Sequence, residues 1–301
     1  MLIVTLIAAN ADTPSPGSVL DVGEALSLLE SAGYSAGEPS WLEPDQVARI
    51  GLTGVNSVNL RDVRKALEPL SDRIDFAIRP ADAPIPKLML SDMDSTMIGQ
   101  ECIDELADFA GVRDEVTAIT ERAMQGELDF AASLKERVAL LKGLPEHVIA
   151  ECLAERVSPN PGARTLVRTM RKLGADTVLV SGGFHHFADP IAAEIGFQGV
   201  VANRLDVEDG HLLGTVSGPM VDAAMKAHVL ERERGLLNLA TEQTMALGDG
   251  ANDIPMLNAA GFSAAYCAKP IAYEVADFAI RHNGLTAALY ALGIPRTKWQ
   301  D

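Results

Sequence analysis

Apolar positions along this chain follow two rhythms, and the change between them divides it. Residues 2–8 form a short apolar run with weak alternation, which predicts a strand. Over 19–32 the apolar residues Val19, Ala25, Leu26 and Leu29 take helical spacing, and Gly33 marks the stop. A strand follows over 47–52, with another ahead of it near Trp41, then a helix over 59–70 and a strand over 73–78. That succession is the β-α-β-β-α-β pattern of a ferredoxin-like α+β unit. It occupies residues 1–80 and gives way to Pro80-Ala81-Asp82-Ala83-Pro84-Ile85-Pro86, where 81–86 read as a linker.

From Lys87 onward strands and helices alternate. Strands are predicted over 88–92, 177–181, 200–204, 244–248, 263–267 and 278–280, and helices over 163–173, 222–234 and 253–260. Residues 205–217 carry Asp209-Gly210 and predict a hairpin. Such alternation implies an α/β class, a Rossmann-like parallel sheet covered on both faces. The stretch 98–158 breaks the rhythm. It reads as helical, with breaks at Gly111, Gly126 and Gly143-Leu144-Pro145. Inserted directly after the first strand, it forms a cap above the sheet's carboxyl edge. The expected domains are 1–80 and 87–301, the second carrying the cap.

Composition narrows the partners. The 301 residues are 48% hydrophobic, enough for a globular chain with a sizeable core. With 25 basic and 42 acidic residues the formal charge is −17, which argues against a nucleic-acid partner held through phosphates. An anionic ligand would need local cations. Cys102, Cys152 and Cys267 are odd in number and far apart, which fits a reducing compartment and neither disulfides nor structural zinc. No apolar run reaches membrane-spanning length, and the first residues lack a basic leader. The expectation is a cytoplasmic protein with no membrane partner.

The candidate chemistry sits at strand ends. The run Leu88-Met89-Leu90 ends in Asp92-Met93-Asp94-Ser95-Thr96. Two carboxylates that close ionise together most readily when a cation lies between them or a hydrogen bond separates their roles. The pair suits a hard divalent metal and a carboxylate nucleophile. Ser181-Gly182-Gly183 follows Val178-Leu179-Val180, Lys226 falls early in a helix, and Gly248-Asp249-Gly250-Ala251-Asn252-Asp253 follows Met245-Ala246-Leu247. Taken singly, these motifs read as turns, caps and a solvated helix face. His185-His186 tempts a metal reading, but adjacent helix residues face different ways and no carboxylate motif pairs with them. Cys102 has nothing nearby to activate it as a nucleophile.

In this order the motifs resemble the haloacid dehalogenase (HAD) superfamily of phosphohydrolases, most closely its phosphoserine phosphatases, over roughly 87–285. The stretches around Glu101 and from Ala123 to Val138, holding Met124, Phe130 and Arg137, are similar to the family's substrate-recognition segments in the cap. The resemblance implies Mg²⁺-dependent hydrolysis of O-phosphoserine, the last step of serine biosynthesis, through an aspartyl-phosphate. Asp92 would be the nucleophile and Asp94 the acid and base. Asp92, Asp249 and the backbone carbonyl of Asp94 would hold Mg²⁺. Ser181 and the Gly182 N–H would bind phosphate oxygens, and Lys226 would offset their charge. Asn252 and Asp253 would support the site, Asp253 by orienting Lys226 or a water at the metal. Glu101 suits the substrate ammonium and Arg137 its carboxylate, while Met124 and Phe130 would help exclude water. Alternatives are another small phosphomonoester or phosphoryl transfer to an alcohol. Residues 1–80 resemble an ACT-like domain, which opens a regulatory, amino-acid-sensing role. The loose loop from Asn10 to Gly17 favours a structural or oligomerising role, such as a homodimer, over sensing.

Overall fold

The computed structural model describes residues 1–11, 20–53, 60–124 and 127–301, with the side chain of Met124 outside that description. The amino-terminal part runs β1 (Leu2–Ala8), α1 (Val22–Ser31), β2 (Ser35–Ala36), β3 (Ser40–Glu43), β4 (Val47–Thr53), α2 (Leu60–Leu67) and β5 (Ile74–Pro80). Strand β1 pairs antiparallel with β4 on one side and β5 on the other. Strands β2 and β3 take successive stretches of the far edge of β4. The order β3-β4-β1-β5 is that of the ferredoxin-like fold, with β3 the strand expected near Trp41. Asp21 sets the start of α1, since its carboxylate accepts the N–H groups of Gly23 and Glu24. The helical spacing read from Val19, and the loop read from Asn10 to Gly17, lie partly outside the described residues.

The remainder begins with β6 (Leu88–Ser91) and then the cap helices α3 (Cys102–Phe109), α4 (Arg113–Met124), α5 (Phe130–Ala139) and α6 (His147–Arg156). There follow α7 (Ala163–Lys172), β7 (Asp176–Phe184), α8 (His185–Ile195), β8 (Gly199–Glu208), β9 (His211–Ser217) and α9 (Ala223–Leu236). The chain closes with β10 (Thr244–Gly248), α10 (Ile254–Ala259), β11 (Phe262–Tyr266), α11 (Pro270–Val275), β12 (Phe278–Ile280) and α12 (Ala287–Ala291). The break expected at Gly126 falls outside the described residues. Asp209 and Gly210 both take positive φ, the conformation a tight β8–β9 turn requires.

Strands β12-β11-β10-β6-β7-β8 run parallel, and β9 closes that edge antiparallel. Side chains alternate across this sheet. Leu88, Leu90, Val178, Val180 and Ala246 meet Val229, Leu230, Met256 and Leu257 on one face. Met89, Leu179, Met245 and Leu247 meet Leu166, Phe187 and Tyr290 on the other. Both faces are thus dry, as the unbroken apolar strands require. After β6 the chain winds outward through β7 and β8, then returns to start β10 on the opposite side of β6. That reversal opens a crevice at the carboxyl ends of β6, β7 and β10, where ligands bind in open α/β sheets.

Two joints fix the surroundings of that crevice. The cap leaves and returns at one point, where Ile98 and Pro159 form an isolated antiparallel bridge and Asn160 Nδ2 donates to the Thr96 carbonyl. The amino-terminal sheet joins the parallel sheet edge to edge, through β5 and β12 at Ala77 and Phe278. Buried Asp75 locks this joint by accepting the N–H groups of Arg281 and His282 and the amide of Asn283. Among the described residues no helix is long and apolar enough to cross a membrane.

Candidate active site

Four chain segments place their side chains in the crevice. Strand β6 ends at Ser91, so Asp92 projects from its carboxyl tip. Helix α9 is capped by Asp222, whose carboxylate accepts the Met225 N–H, and this sets Lys226 within the first turn. Past β10 the chain turns so that Asp253 folds back and accepts the N–H groups of Asp249 and Gly250, both at 3.0 Å. Only glycine fits at 248, because a Cβ there would sit 2.4 Å from the Asp253 carboxyl carbon.

Lys226 is 1% exposed and binds two carboxylates, Asp92 and Asp253, each at 2.7 Å. Burial works against its charge, but Asp92 and Asp253 outweigh burial and raise its pKa. Asp92 is pushed upward by burial first and Asp253 second, with Lys226 opposing them. Asp249 is raised to about 6, by burial and then by Asp253. Oxygens of Asp92, Asp249 and Asp253 lie within 4.8 Å of one another, all buried. Only Lys226 forms an ion pair with these three carboxylates among the described residues, and a divalent cation would offset the negative charge that remains. The donor set is hard oxygen, as such a cation prefers. Asp253 is fully used, by Lys226 on Oδ1 and by two N–H groups on Oδ2. Asp92 Oδ1 takes Lys226 and the Met93 N–H, and Asp249 Oδ1 takes the Thr96 hydroxyl. Oδ2 of Asp92 and Oδ2 of Asp249 carry no hydrogen bond among the described residues, so these two remain to hold an ion.

Asp94 has a different environment. Its Oδ1 accepts the Cys102 N–H at the start of α3, while its Oδ2 lies 3.0 Å from where a Gly183 Cβ would sit. Glycine at 183 therefore lets the β7 loop approach Asp94. Burial, with Glu101 adding to it, raises the Asp94 carboxyl to about 7. Neighbouring carboxyls thus differ in partner, Asp92 bound to a lysine and Asp94 to a backbone N–H, while burial raises the pKa of both. Ser181 is buried, its hydroxyl accepting the Gly183 N–H at 2.8 Å.

The cap closes the other side. Glu101 precedes α3 and accepts the Ser95 hydroxyl at 2.7 Å. Phe130 opens α5 behind its cap Asp129, and its ring tip lies 3.3 Å from where a Gly182 Cβ would sit. Arg137 stands two turns further along α5, its Nε donating to the Ser133 carbonyl. Asp92, Asp94, Glu101, Phe130, Arg137, Gly182, Asp249 and Asn252 line one cavity of about 130 Å³, with Ser181, Lys226 and Asp253 buried behind its floor. Of the candidate residues only Met124 is unplaced, its side chain lying outside the described residues. His185 pairs with Asp189 at 2.8 Å and His186 faces Glu146 at 3.7 Å, so neither joins the acidic cluster.

Gly183, part of the Ser181-Gly182-Gly183 motif, also lines the cavity, as do Ile103, Leu134, Phe184 and Lys269, which sequence reasoning missed. Lys269 was within reach, since it lies just past the apolar strand β11, as Asp92 lies past β6. Its N–H donates to the Asp249 carbonyl at 2.9 Å, and its charge opposes the upward shift of Asp249.

The profile of the haloacid dehalogenase-like hydrolases matches residues 89–258, more than half of the chain and the whole floor of the cavity. The chain belongs to this family. It is 48% identical over 210 residues to phosphoserine phosphatase SerB2 of Mycobacterium tuberculosis, covering 70% of this chain and 51% of that one. The chain therefore spans about half the length of that relative. To the phosphoserine phosphatase of Idiomarina loihiensis it is 45% identical, over 68% of this chain and 93% of that one. The unliganded structure of a probable phosphoserine phosphatase from Vibrio cholerae superposes with a TM-score of 0.75 at 30% identity, covering 99% of this chain and 87% of that one.

Proposed function

We propose that this HAD-family hydrolase cleaves O-phospho-L-serine to serine and inorganic phosphate through an aspartyl-phosphate on Asp92. The observation that carries the reading is a single cavity with a lysine-held carboxylate at its floor and a Glu101–Arg137 pair on its cap wall. Phosphoserine needs all three, because it presents a phosphate, an ammonium and a carboxylate. The named relatives in Mycobacterium and Idiomarina support the same substrate.

Phosphoryl transfer asks for positioning and charge balance more than for new covalent chemistry. Lys226 holds Asp92 through Oδ1, and the carboxylate so oriented attacks phosphorus. As the P–O bond to serine breaks, Asp94 gives its proton to the leaving oxygen, which its pKa of about 7 makes available. Asp94 then takes a proton from the water that attacks the phosphorus of the aspartyl-phosphate, releasing phosphate and restoring Asp92. Ser181 and the N–H of Gly182 hold phosphoryl oxygens, and Asn252 binds from the rim. Glu101 receives the ammonium and Arg137 the carboxylate, while Phe130 shuts water out over Gly182. Mg²⁺, held by Asp92, Asp249 and the Asp94 carbonyl, would supply positive charge to the phosphoryl oxygens. Asp253 acts by aiming Lys226.

Residues 1–80 form, on this reading, a structural or dimerising domain joined by 81–86 to a catalytic domain over 87–301, in a cytoplasmic enzyme. The catalytic reading is tested by turnover of phosphoserine, phosphothreonine and sugar phosphates with added Mg²⁺. Phosphoserine should be preferred, by about 10–200-fold over phosphothreonine, whose extra methyl must fit the same pocket. Chelation should abolish turnover and Mg²⁺ restore it. Equal rates across the panel, or full activity in excess chelator, would reject the assignment.

A further inference from the structure

The turn Ser181-Gly182-Gly183 interrupts the parallel sheet. Strands β7 and β8 pair in register up to Val180 and Val201, and pair again at Phe184 and Asn203. Between those positions lie residues 181–183 of β7 but only Ala202 of β8, so the turn bulges out of the ladder. Backbone groups in such a bulge lose their strand partners, and buried ones need others. For Gly182 the partner is a side chain. Asn203, 2% exposed, donates from Nδ2 to the Gly182 carbonyl at 2.8 Å. Its Oδ1 accepts the Val221 N–H at 2.9 Å. Val221 immediately precedes Asp222, the cap of α9, so one buried amide ties the turn to the start of the helix that carries Lys226.

The peptide joining Gly182 to Gly183 is planar and trans, so its C=O and N–H point in opposite directions. Asn203 draws the carbonyl toward β8, and the N–H of the same plane points to the Ser181 hydroxyl, which accepts it at 2.8 Å. A hydroxyl that accepts one N–H keeps its own proton to donate. We infer that Asn203 is a positioning residue for phosphoryl transfer: it fixes the peptide plane that aims the Ser181 O–H at the phosphoryl group. The inference rests on the phosphatase reading, in which Ser181 and the Gly182 N–H hold phosphoryl oxygens. Glycine on both sides of that peptide leaves it free to turn unless something clamps it. The clamp must be an amide, because one half donates and the other accepts. An aspartate at 203 would keep the Val221 contact, set an oxygen against the Gly182 carbonyl and release the plane.

A double-mutant cycle of Asn203→Asp with Ser181→Ala, read on phosphoserine and on p-nitrophenyl phosphate, tests this role. Asn203→Asp alone should lower kcat/KM about tenfold or more, the worth of a hydrogen bond to a charged group. The loss should be equal on both substrates, because the phosphoryl group is common to them, and inhibition by inorganic phosphate should weaken in proportion. In the Ser181→Ala background the same substitution should cost about threefold or less, since the hydroxyl it aims is gone. A full loss in both backgrounds, a loss confined to phosphoserine, or unchanged turnover in Asn203→Asp would overturn the inference. Asn203→Ser, whose shorter side chain leaves room for a water, goes through the same cycle. If neither variant folds, Asn203 is a determinant of folding and the inference falls. Turnover of p-nitrophenyl phosphate and its inhibition by phosphate are read whether or not phosphoserine is the substrate, so failure of that assignment leaves this test intact.

Discussion

The floor and the cap wall of the catalytic cavity are built to different tolerances. On the floor, Asp92, Ser181, Lys226 and Asp253 are at most 4% exposed, and charged contacts of 2.7 Å fix Lys226 between two carboxylates. On the cap, Phe130 is 37% exposed, and among the described residues the side chains of Glu101 and Arg137 each make one hydrogen bond, within or near their own helix. A group that must meet phosphorus in one geometry benefits from being locked before substrate arrives. Groups that recognise the rest of the substrate can order on binding, with the cap as the moving part. Floor variants should therefore lose kcat or fail to fold well, and cap variants should lose discrimination.

The sharpest break falls on the nucleophile. Asp92→Asn should keep the fold and lower kcat by about 10⁴-fold or more, because an amide does not form the phospho-enzyme. Next comes Lys226→Met, which strands two buried carboxylates. Its expected cost is about 3–5 kcal/mol of stability, measured by denaturant unfolding, along with most activity. A Lys226 variant as stable as the wild type would remove the claim that the floor is electrostatically locked.

The floor was legible in the sequence for a physical reason. Each of its motifs ends an apolar strand or opens a capped helix, and the strands of a parallel sheet present their carboxyl ends together. The proposed recognition residues were legible only through the family resemblance, since Glu101 and Arg137 otherwise read as solvated helix charges. The joint of β5 with β12 was not legible. Its one paired position and its Asp75 contacts join residues about 200 positions apart, and no local pattern carries that. Lys269 was passed over because one lysine after a strand lacks the repeated carboxylates that marked Asp249. The extension of β7 through Gly182 and Gly183 to Phe184 also ran against local propensity, since glycine weakens strands. Here pairing of Phe184 with Asn203 of β8, whose amide donates to the Gly182 carbonyl, holds that conformation.

On the cap side, Arg137→Ala and Glu101→Gln should each raise the phosphoserine KM by about 10–100-fold, the worth of a hydrogen bond to a charged group. Hydrolysis of an aryl phosphate, which lacks both ammonium and carboxylate, should change little. Equal losses on both substrates would erase the division between floor and cap. Phe130→Ala should have the smallest effect, a few-fold in kcat/KM, since the ring covers the cavity without touching the reacting atoms.

The central claim is that Asp92 captures the phosphoryl group. Rapid acid quench of the enzyme during turnover of phosphoserine, followed by peptide mass spectrometry, tests it directly. The account predicts one added phosphoryl group on the peptide containing Asp92, absent from the Asp92→Asn protein. Turnover with the phosphoryl group on another residue, or with no modified peptide at any quench time, would contradict it.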